Sequence, residues 1–152
     1  MNNKIFYLIL PNIRSRFNVG SIFRTADAAG IDKIFLTGIT PAPPHPKIDK
    51  VALGAEKNIP FEKITQTNHL LKKLAKQGFQ IIALEQSKKS IDYTKLKPKY
   101  PIALVVGNEV KGLDSSILKN CHTIIDIPMH GKKESLNVSV ALGITVFNII
   151  NK

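Results

Sequence analysis

The chain has 152 residues, which is the size of one domain with a hydrophobic core of its own. Twenty-two Lys and Arg against eleven Asp and Glu give a net charge of +11, and such an excess is typical of nucleic-acid binders, although solvated surface lysines would produce it too. The single cysteine, Cys121, excludes an intrachain disulfide, and no apolar run is long enough to cross a membrane, so we predict a cytoplasmic protein.

Short apolar segments alternate with segments of helical period along the chain. We predict strands at residues 5–10, 33–36, 79–84, 102–106 and 123–127, and helices at residues 18–29, 69–77, 114–120 and 137–150. The proline-rich segment 40–46 is neither a helix nor a central strand, because each proline removes a backbone donor. This alternation predicts an α/β fold over residues 1–152, with a mostly parallel sheet flanked by helices.

The last predicted helix is apolar almost all the way round, as Val138, Ile144, Phe147 and Ile150 illustrate. A helix of this kind is buried on most sides. One sheet in so small a chain can hardly cover it, so we predict a homodimer in which a second copy covers the rest. The alternative is a helix buried deep within its own chain.

Residues 11–24 form the first segment with residues suited to chemistry, a polar loop that leaves a strand and enters a helix. Arg14 and Arg16 lie in the loop, whereas Asn18 and Arg24 lie on the helix. Because a helix N-terminus has free N–H groups and a partial positive charge, this segment suits a phosphate. Gly20, one turn before Arg24, leaves open backbone beside the guanidinium. The alternative is that the arginines are solvated surface charges.

Residues 105–113 form the second such segment. Gly107 ends a buried strand, which is where ligands of open parallel sheets usually bind. The Gly107 and Gly112 spacing is that of a phosphate-binding loop, but Leu113 stands where that loop needs a lysine, so we reject this interpretation. Glu109 either binds a ligand or braces the loop.

Residues 127–139 form the third segment, in which a strand ends at a proline and a basic loop with Lys132 and Lys133 follows. Ser135 and Asn137 then lie at the entry to the last helix. Serine and asparagine are common helix caps, so these two residues by themselves require no ligand.

Taken together and in this order, the three segments resemble the motifs of the SpoU (TrmH-like) branch of the SPOUT RNA methyltransferases. Residues 18–30 match its N-x-G-x-I-x-R-T-A-D-A-x-G motif, and residues 107–113 match its G-N-E-x-x-G-L motif. Residues 127–141 match its I-P-M…S-L-N-V-S-V-A motif. The likeness extends from about residue 5 to the end of the chain.

The resemblance implies a SPOUT-type fold with a deep trefoil knot in the C-terminal third, and a homodimer with the active site near its interface. It also implies S-adenosylmethionine as the cofactor. The residues that match the family's catalytic and substrate positions are Asn18, Arg24, Glu109, Ser135 and Asn137. The residues that match its cofactor positions are Leu84, Gly107, Ile127, Met129, Ser135 and Leu136.

These matches predict methylation of a ribose 2′-hydroxyl in a structured RNA, with tRNA favoured over rRNA because the chain is a single methyltransferase domain without an added RNA-binding domain. The residues expected to contact the RNA are Arg14, Arg16, Lys132 and Lys133. We expect no metal site, since the histidines lack metal-ligand spacing. One alternative is a catalytically silent RNA-binding dimer, and another is a nucleotide enzyme that acts on small molecules, which the lack of phosphate-loop motifs disfavours.

Overall fold

The computed structural model describes residues 4–152, in which seven strands form one parallel sheet. The strands are β1 (Phe6–Pro11), β2 (Lys33–Thr37), β3 (Phe61–Ile64), β4 (Gln80–Leu84), β5 (Ile91–Asp92), β6 (Ile102–Val106) and β7 (Thr123–Asp126). They lie in the order β3-β2-β1-β6-β4-β7-β5, and every pairing is parallel. The predicted α/β fold is confirmed, whereas the trefoil knot stays a prediction. The first three residues of the predicted domain lie outside the described residues.

Helices cover both faces of this sheet. They are α1 (Arg16–Ala29), α2 (Pro46–Ala52), α3 (Ala55–Asn58), α4 (Thr67–Lys76), α5 (Ser115–Lys119) and α6 (Val138–Ile150), with a 3-10 turn at Tyr93–Lys95. Helices α1, α2 and α6 pack over one face, to which Leu8 and Leu104 contribute. Helices α4 and α5 pack over the other, to which Ile9 and Val105 contribute. Because successive side chains of a strand point to opposite faces, these apolar strands supply both cores.

Each strand and helix predicted from the sequence is present, with its ends displaced by no more than two residues. The elements that were not predicted are β3, β5, α2, α3 and the 3-10 turn. The proline-rich segment is irregular up to its last residue, Pro46, which is the first residue of α2. A missing N–H is harmless at that position, and His45 Nδ1 caps the helix by accepting from Lys47 N at 3.1 Å.

Gly20 lets α1 approach α2 closely. A Cβ atom there would lie 2.6 Å from the backbone oxygen of Ile48 and 3.0 Å from Val51 Cβ, so a larger residue would separate the helices. Gly20 is buried while Arg24 is exposed. The prediction that Gly20 leaves open backbone beside the Arg24 guanidinium is therefore wrong.

The chain itself covers helix α6 on one side only. Its inner side chains, among them Leu142 and Val146, are fully buried against the sheet and α1. Its outer side exposes 50% of Val140, 39% of Ile144 and 40% of Phe147. The spacing i, i+4, i+7 places these three on one stripe. A helix buried on all sides within its own chain is thus ruled out, and the homodimer stays a prediction.

Candidate active site

A cavity of 410 Å³ opens at the carboxyl edge of the sheet, where the loops after β4, β6 and β7 meet the first turn of α6. This volume is within the range of small-molecule sites. The cavity brings together every predicted cofactor residue and all predicted catalytic residues except Arg24. Those lining it are Asn18, Leu84, Gly107, Glu109, Ile127, Met129, Ser135, Leu136 and Asn137.

A chain of hydrogen bonds joins the three motifs inside the cavity. Asn137 Nδ2 donates to Asn18 Oδ1 at 3.1 Å, and Asn18 Nδ2 donates to Glu109 Oε1 at 3.2 Å. Asn18 is almost completely buried, with 5% of its surface exposed, so its amide is held in one orientation by these partners. Asn137 also caps α6, because its Oδ1 accepts from the backbone N–H of Ser139 at 2.9 Å.

The Glu109 carboxylate braces the start of α1. Its oxygens accept from the backbone N–H groups of Arg14 at 3.2 Å and Ser15 at 3.1 Å, in addition to the Asn18 amide. Burial raises the pKa of Glu109, but hydrogen bonds from backbone N–H groups and from Asn18 outweigh it and hold the pKa below its usual value. Glu109 is thus an anion whose oxygens are occupied, which suits a brace better than a general base.

This brace changes the interpretation of the α1 N-terminus. Glu109 binds the N–H groups of Arg14 and Ser15, and Ser15 Oγ accepts from Asn18 N at 3.1 Å. These three N–H groups already have protein acceptors, a carboxylate for two of them and a hydroxyl for the third. The suitability of the α1 N-terminus for a phosphate stays a prediction.

Two glycines shape the loop between β6 and α5. A Cβ on Gly107 would lie 2.7 Å from the Gly112 carbonyl carbon, so the loop ends approach too closely for a side chain. Gly112 has a φ of 68° and would place its Cβ 2.2 Å from Glu85 Oε2. That carboxylate accepts from Leu113 N at 2.6 Å and ties the loop to the end of β4. The Gly107 and Gly112 spacing therefore serves loop closure.

The predicted RNA-contacting residues and Arg24 lie outside this cavity. Arg24 is exposed in the middle of α1. Arg14 lines a separate cleft of 260 Å³, and Arg16 is exposed at the first residue of α1. Lys132 and Lys133 line a shallow groove beside the main cavity. The single chain therefore does not bring Arg24 to Asn18 and Glu109.

The chain matches the family model described as the SpoU rRNA Methylase family over residues 5–147. The chain belongs to this family. A relative from Yersinia pestis named 23S rRNA (guanosine-2'-O-)-methyltransferase RlmB is 33% identical over 97% of this chain and 59% of its own length. The chain spans about 60% of the length of such curated relatives.

Two solved structures superpose closely on this chain. An AdoMet-bound rRNA methyltransferase from Sinorhizobium meliloti has a TM-score of 0.93 at 30% identity, with 99% of this chain and 57% of that chain covered. The A. aeolicus TrmH/SpoU tRNA modifying enzyme has a TM-score of 0.87 at 31% identity, with 95% of this chain and 73% of that chain covered. The resemblance to the SpoU family found in the motifs is confirmed.

Three polar residues of this SpoU-family cavity lie outside the three motif segments and were not predicted: Glu85, Gln86 and Asp126. Glu85 and Gln86 directly follow β4, and Asp126 ends β7. Gln86 Nε2 donates to the Glu134 carbonyl at 2.9 Å, which ties the basic loop to the cavity wall. The rule that ligands bind beyond the carboxyl ends of parallel strands would have identified all three residues.

Residues 4–152 contain no group of three or more His, Cys, Asp or Glu arranged to hold a metal ion. Within the same residues, every helix is too short or too polar to traverse a lipid bilayer.

Proposed function

We propose that this chain transfers a methyl group from S-adenosylmethionine to a ribose 2′-hydroxyl of a structured RNA. The observation that carries this proposal is the single cavity in which Asn18, Glu109 and Asn137 are joined by hydrogen bonds beside the residues that match the family's cofactor positions. The names of the relatives, which include a 2′-O-methyltransferase of 23S rRNA and an AdoMet-bound structure, support it.

The lining of the cavity suits this cofactor. Leu84, Ile127 and Leu136 offer apolar surface for an adenine ring. Residues 127–137 form no helix or strand, so their backbone N–H and C=O groups can hydrogen bond with a ligand. When bound, S-adenosylmethionine supplies a methyl group on a positively charged sulfur. The chain would hold that methyl in line with the ribose oxygen, and such positioning supplies much of the rate in reactions of this kind.

Arg24 would reach the reaction from a second copy of the chain. The exposed stripe Val140, Ile144 and Phe147 on α6 begins beside the cavity, and α6 packs against α1. A two-fold dimer through this stripe would bury it and bring the exposed side of one α1 towards the partner's cavity. The proposed active unit is therefore a homodimer in which Arg24 serves the partner's site.

Arg24 would then act as a phosphate anchor. A guanidinium keeps its proton under the conditions in which proteins fold, so it is a poor general base. Its charge beside the target ribose would instead hold the neighbouring phosphate and favour loss of the hydroxyl proton. Asn18 and Asn137 would orient the ribose, with Glu109 holding the Asn18 amide. Ser135, exposed at the mouth of the cavity, would contact ribose or cofactor.

We favour tRNA over rRNA as the substrate. The name of the A. aeolicus relative, a tRNA modifying enzyme whose chain is covered over 73% of its length, supports this preference.

A cytoplasmic location remains our expectation. Burial raises the pKa of the lone Cys121 thiol to about 12, which is consistent with a structural rather than a redox role.

The test is incubation of the purified chain with labelled S-adenosylmethionine and unmodified total tRNA or rRNA, followed by mapping of nuclease-resistant 2′-O-methyl sites. We expect label on ribose, mainly in tRNA. Label on bases, or on no RNA, would refute the proposed reaction. In the latter case calorimetry with S-adenosylmethionine identifies a catalytically silent RNA-binding protein by the absence of binding heat.

Two Arg24 variants test the anchor role. Arg24→Lys keeps the charge and should retain measurable turnover and RNA binding, whereas Arg24→Ala should lose turnover. Equal and complete loss of turnover in both variants would contradict the charge explanation. A mixed dimer of Arg24→Ala and Asn18→Ala subunits should regain activity, because one of its two sites then has both residues intact.

A further inference from the structure

A second cleft lies against the main cavity, separated from it by the loop that follows β6. It has a volume of 260 Å³ and forms where the ends of β1 and β6 meet the turn after β2 and the start of α5. The cleft and the main cavity share lining residues, among them Asn108, Val110 and Lys111. A ligand group in the cleft would therefore be a neighbour of whatever occupies the main cavity.

The walls of this cleft are fixed by hydrogen bonds. Asn12 adopts a positive φ of 55°, and its Oδ1 accepts from Ile39 N at 3.0 Å. Asn108 Nδ2 donates to the Asn12 carbonyl at 2.6 Å, while its Oδ1 accepts from Val110 N at 2.8 Å. These contacts connect the loops that follow β1, β2 and β6. The cleft is therefore formed before any ligand arrives, and ligand binding has only a small entropic cost of ordering the loops.

Two apolar side chains in the cleft are unusually exposed. Ile39 exposes 63% of its surface and Val110 exposes 81%, and both lie among polar loop residues. Flat, weakly polar groups such as nucleobases bind to surfaces of this type, because contact removes the apolar surface of both partners from water.

Charged groups around the cleft indicate how such a ligand would lie. Arg14 and Lys111 line it, and neither side chain is in an ion pair within residues 4–152. Asp114 also lines it, and hydrogen bonds from the Ser116 hydroxyl and from Ile117 N hold the Asp114 pKa below its usual value. A carboxylate in the cleft repels a phosphate but accepts from base N–H groups, while the two cations attract backbone phosphates.

We infer that this cleft is a subsite for an unpaired nucleobase next to the methylated nucleotide in the RNA. The base would rest between Ile39 and Val110, with its flanking phosphates towards Arg14 and Lys111. This inference rests on the proposed function, since it supposes an RNA whose target ribose lies in the main cavity. Single-stranded nucleotides with splayed bases are the part of an RNA that proteins read most readily.

Ile39→Ser tests the subsite, because Ile39 lines the cleft and not the main cavity. With whichever RNA the wild-type chain methylates, we expect its KM for RNA to rise about tenfold, the equivalent of about 1.4 kcal/mol, with the KM for S-adenosylmethionine unchanged. Ile39→Leu keeps an apolar side chain and should retain the wild-type KM for RNA. Leu53→Ser is the matched control, since Leu53 is 67% exposed and lines none of the described cavities.

The outcomes separate the subsite from the proposed function. A wild-type chain that methylates no RNA would overturn the proposed function, and the subsite with it. An active wild-type chain with an unchanged KM for RNA in Ile39→Ser would overturn the subsite alone. An equal rise in Leu53→Ser would do the same. Ultraviolet cross-linking to the methylated RNA adds an independent readout: adducts should map to Ile39, Val110 or Lys111, and adducts confined to other peptides would contradict the inference.

Discussion

Glu109→Gln tests whether one carboxylate holds the start of α1 against the loop that follows β6. In the wild-type chain its oxygens accept from Arg14 N, Ser15 N and Asn18 Nδ2 at distances of 3.1–3.2 Å. A glutamine side chain has one acceptor oxygen and one donor NH₂ group. At least one of the three donors would therefore face another donor, and the negative charge would be lost as well.

The expected magnitude follows from these contacts. A hydrogen bond to a charged group contributes about 1.5–3 kcal/mol to stability when water is excluded. Glu109 is exposed at the rim of the cavity, and solvent screening reduces its contribution. We therefore expect Glu109→Gln to lower the free energy of unfolding by about 1–1.5 kcal/mol at pH 7, and the Tm by about 3 °C.

The effect should depend on pH in a defined direction. Because the folded chain holds the Glu109 pKa below its ordinary value of 4.5, the ionised carboxylate stabilises the fold above that value. This stabilisation is lost as the pH falls from 4.5 through the lower pKa that Glu109 has in the folded chain. The difference in unfolding free energy between wild type and Glu109→Gln should thus be full at pH 7 and shrink below pH 4.5.

Urea unfolding followed by circular dichroism measures this difference at each pH, at one protein concentration because association would shift the transition. Glu134→Gln is the control, since Glu134 is exposed and its carboxylate accepts no hydrogen bond within residues 4–152. It should change the unfolding free energy little. A Glu109→Gln variant as stable as Glu134→Gln at pH 7 would refute the view that the Glu109 carboxylate stabilises the start of α1. So would a difference in unfolding free energy between wild type and Glu109→Gln that persists at low pH.

Two further predictions concern the loop and the exposed stripe. Gly112→Ala would place a methyl group 2.2 Å from Glu85 Oε2 at a positive φ, so we expect about 1–3 kcal/mol of destabilisation and weaker S-adenosylmethionine binding by calorimetry. Gly131→Ala, with no atom within 4 Å of its new Cβ, should change neither. Phe147→Glu should sediment as a monomer, whereas Ile91→Glu, at a similar exposure of 42% against 40%, should sediment like the wild type. A dimeric Phe147→Glu variant would contradict the interface.

The sequence predicts those elements of the fold that are long or fully apolar. Strand β6, with five buried residues, is predicted to the residue, because an apolar run of that length between turn signals is too short for a helix. Strand β3 was not predicted because it lies at the sheet edge and its middle residues, Glu62 and Lys63, are exposed, so its sequence lacks an apolar run. Strand β5 has only two residues. Helices α2 and α3 have seven and four residues, too few for a helical period to emerge.

The candidate site is predictable to the extent that its residues follow strand ends. The residues after β6 and β7 converge because parallel strands share one carboxyl edge, and the motifs mark them. Glu85 could have been included by the same rule. Which donors Glu109 satisfies could not be predicted, because Arg14 and Ser15 lie 95 and 94 residues away along the chain. The proposed place of Arg24 depends on a second copy of the chain, which a single sequence does not describe.

Helix α6 connects the proposed chemistry with the proposed assembly. Its cap, Asn137, holds Asn18 inside the cavity, and its next turns bear the stripe that ends at Phe147. A helix needed only for the core would have a polar outer side, since exposed apolar surface contributes nothing to the stability of a monomer. If the stripe serves association, Phe147→Glu should abolish methylation together with dimerisation. The hydrogen bonds of Asn137 and the affinity of the cavity for S-adenosylmethionine should stay intact. An active monomer would show that Arg24 serves its own site or none.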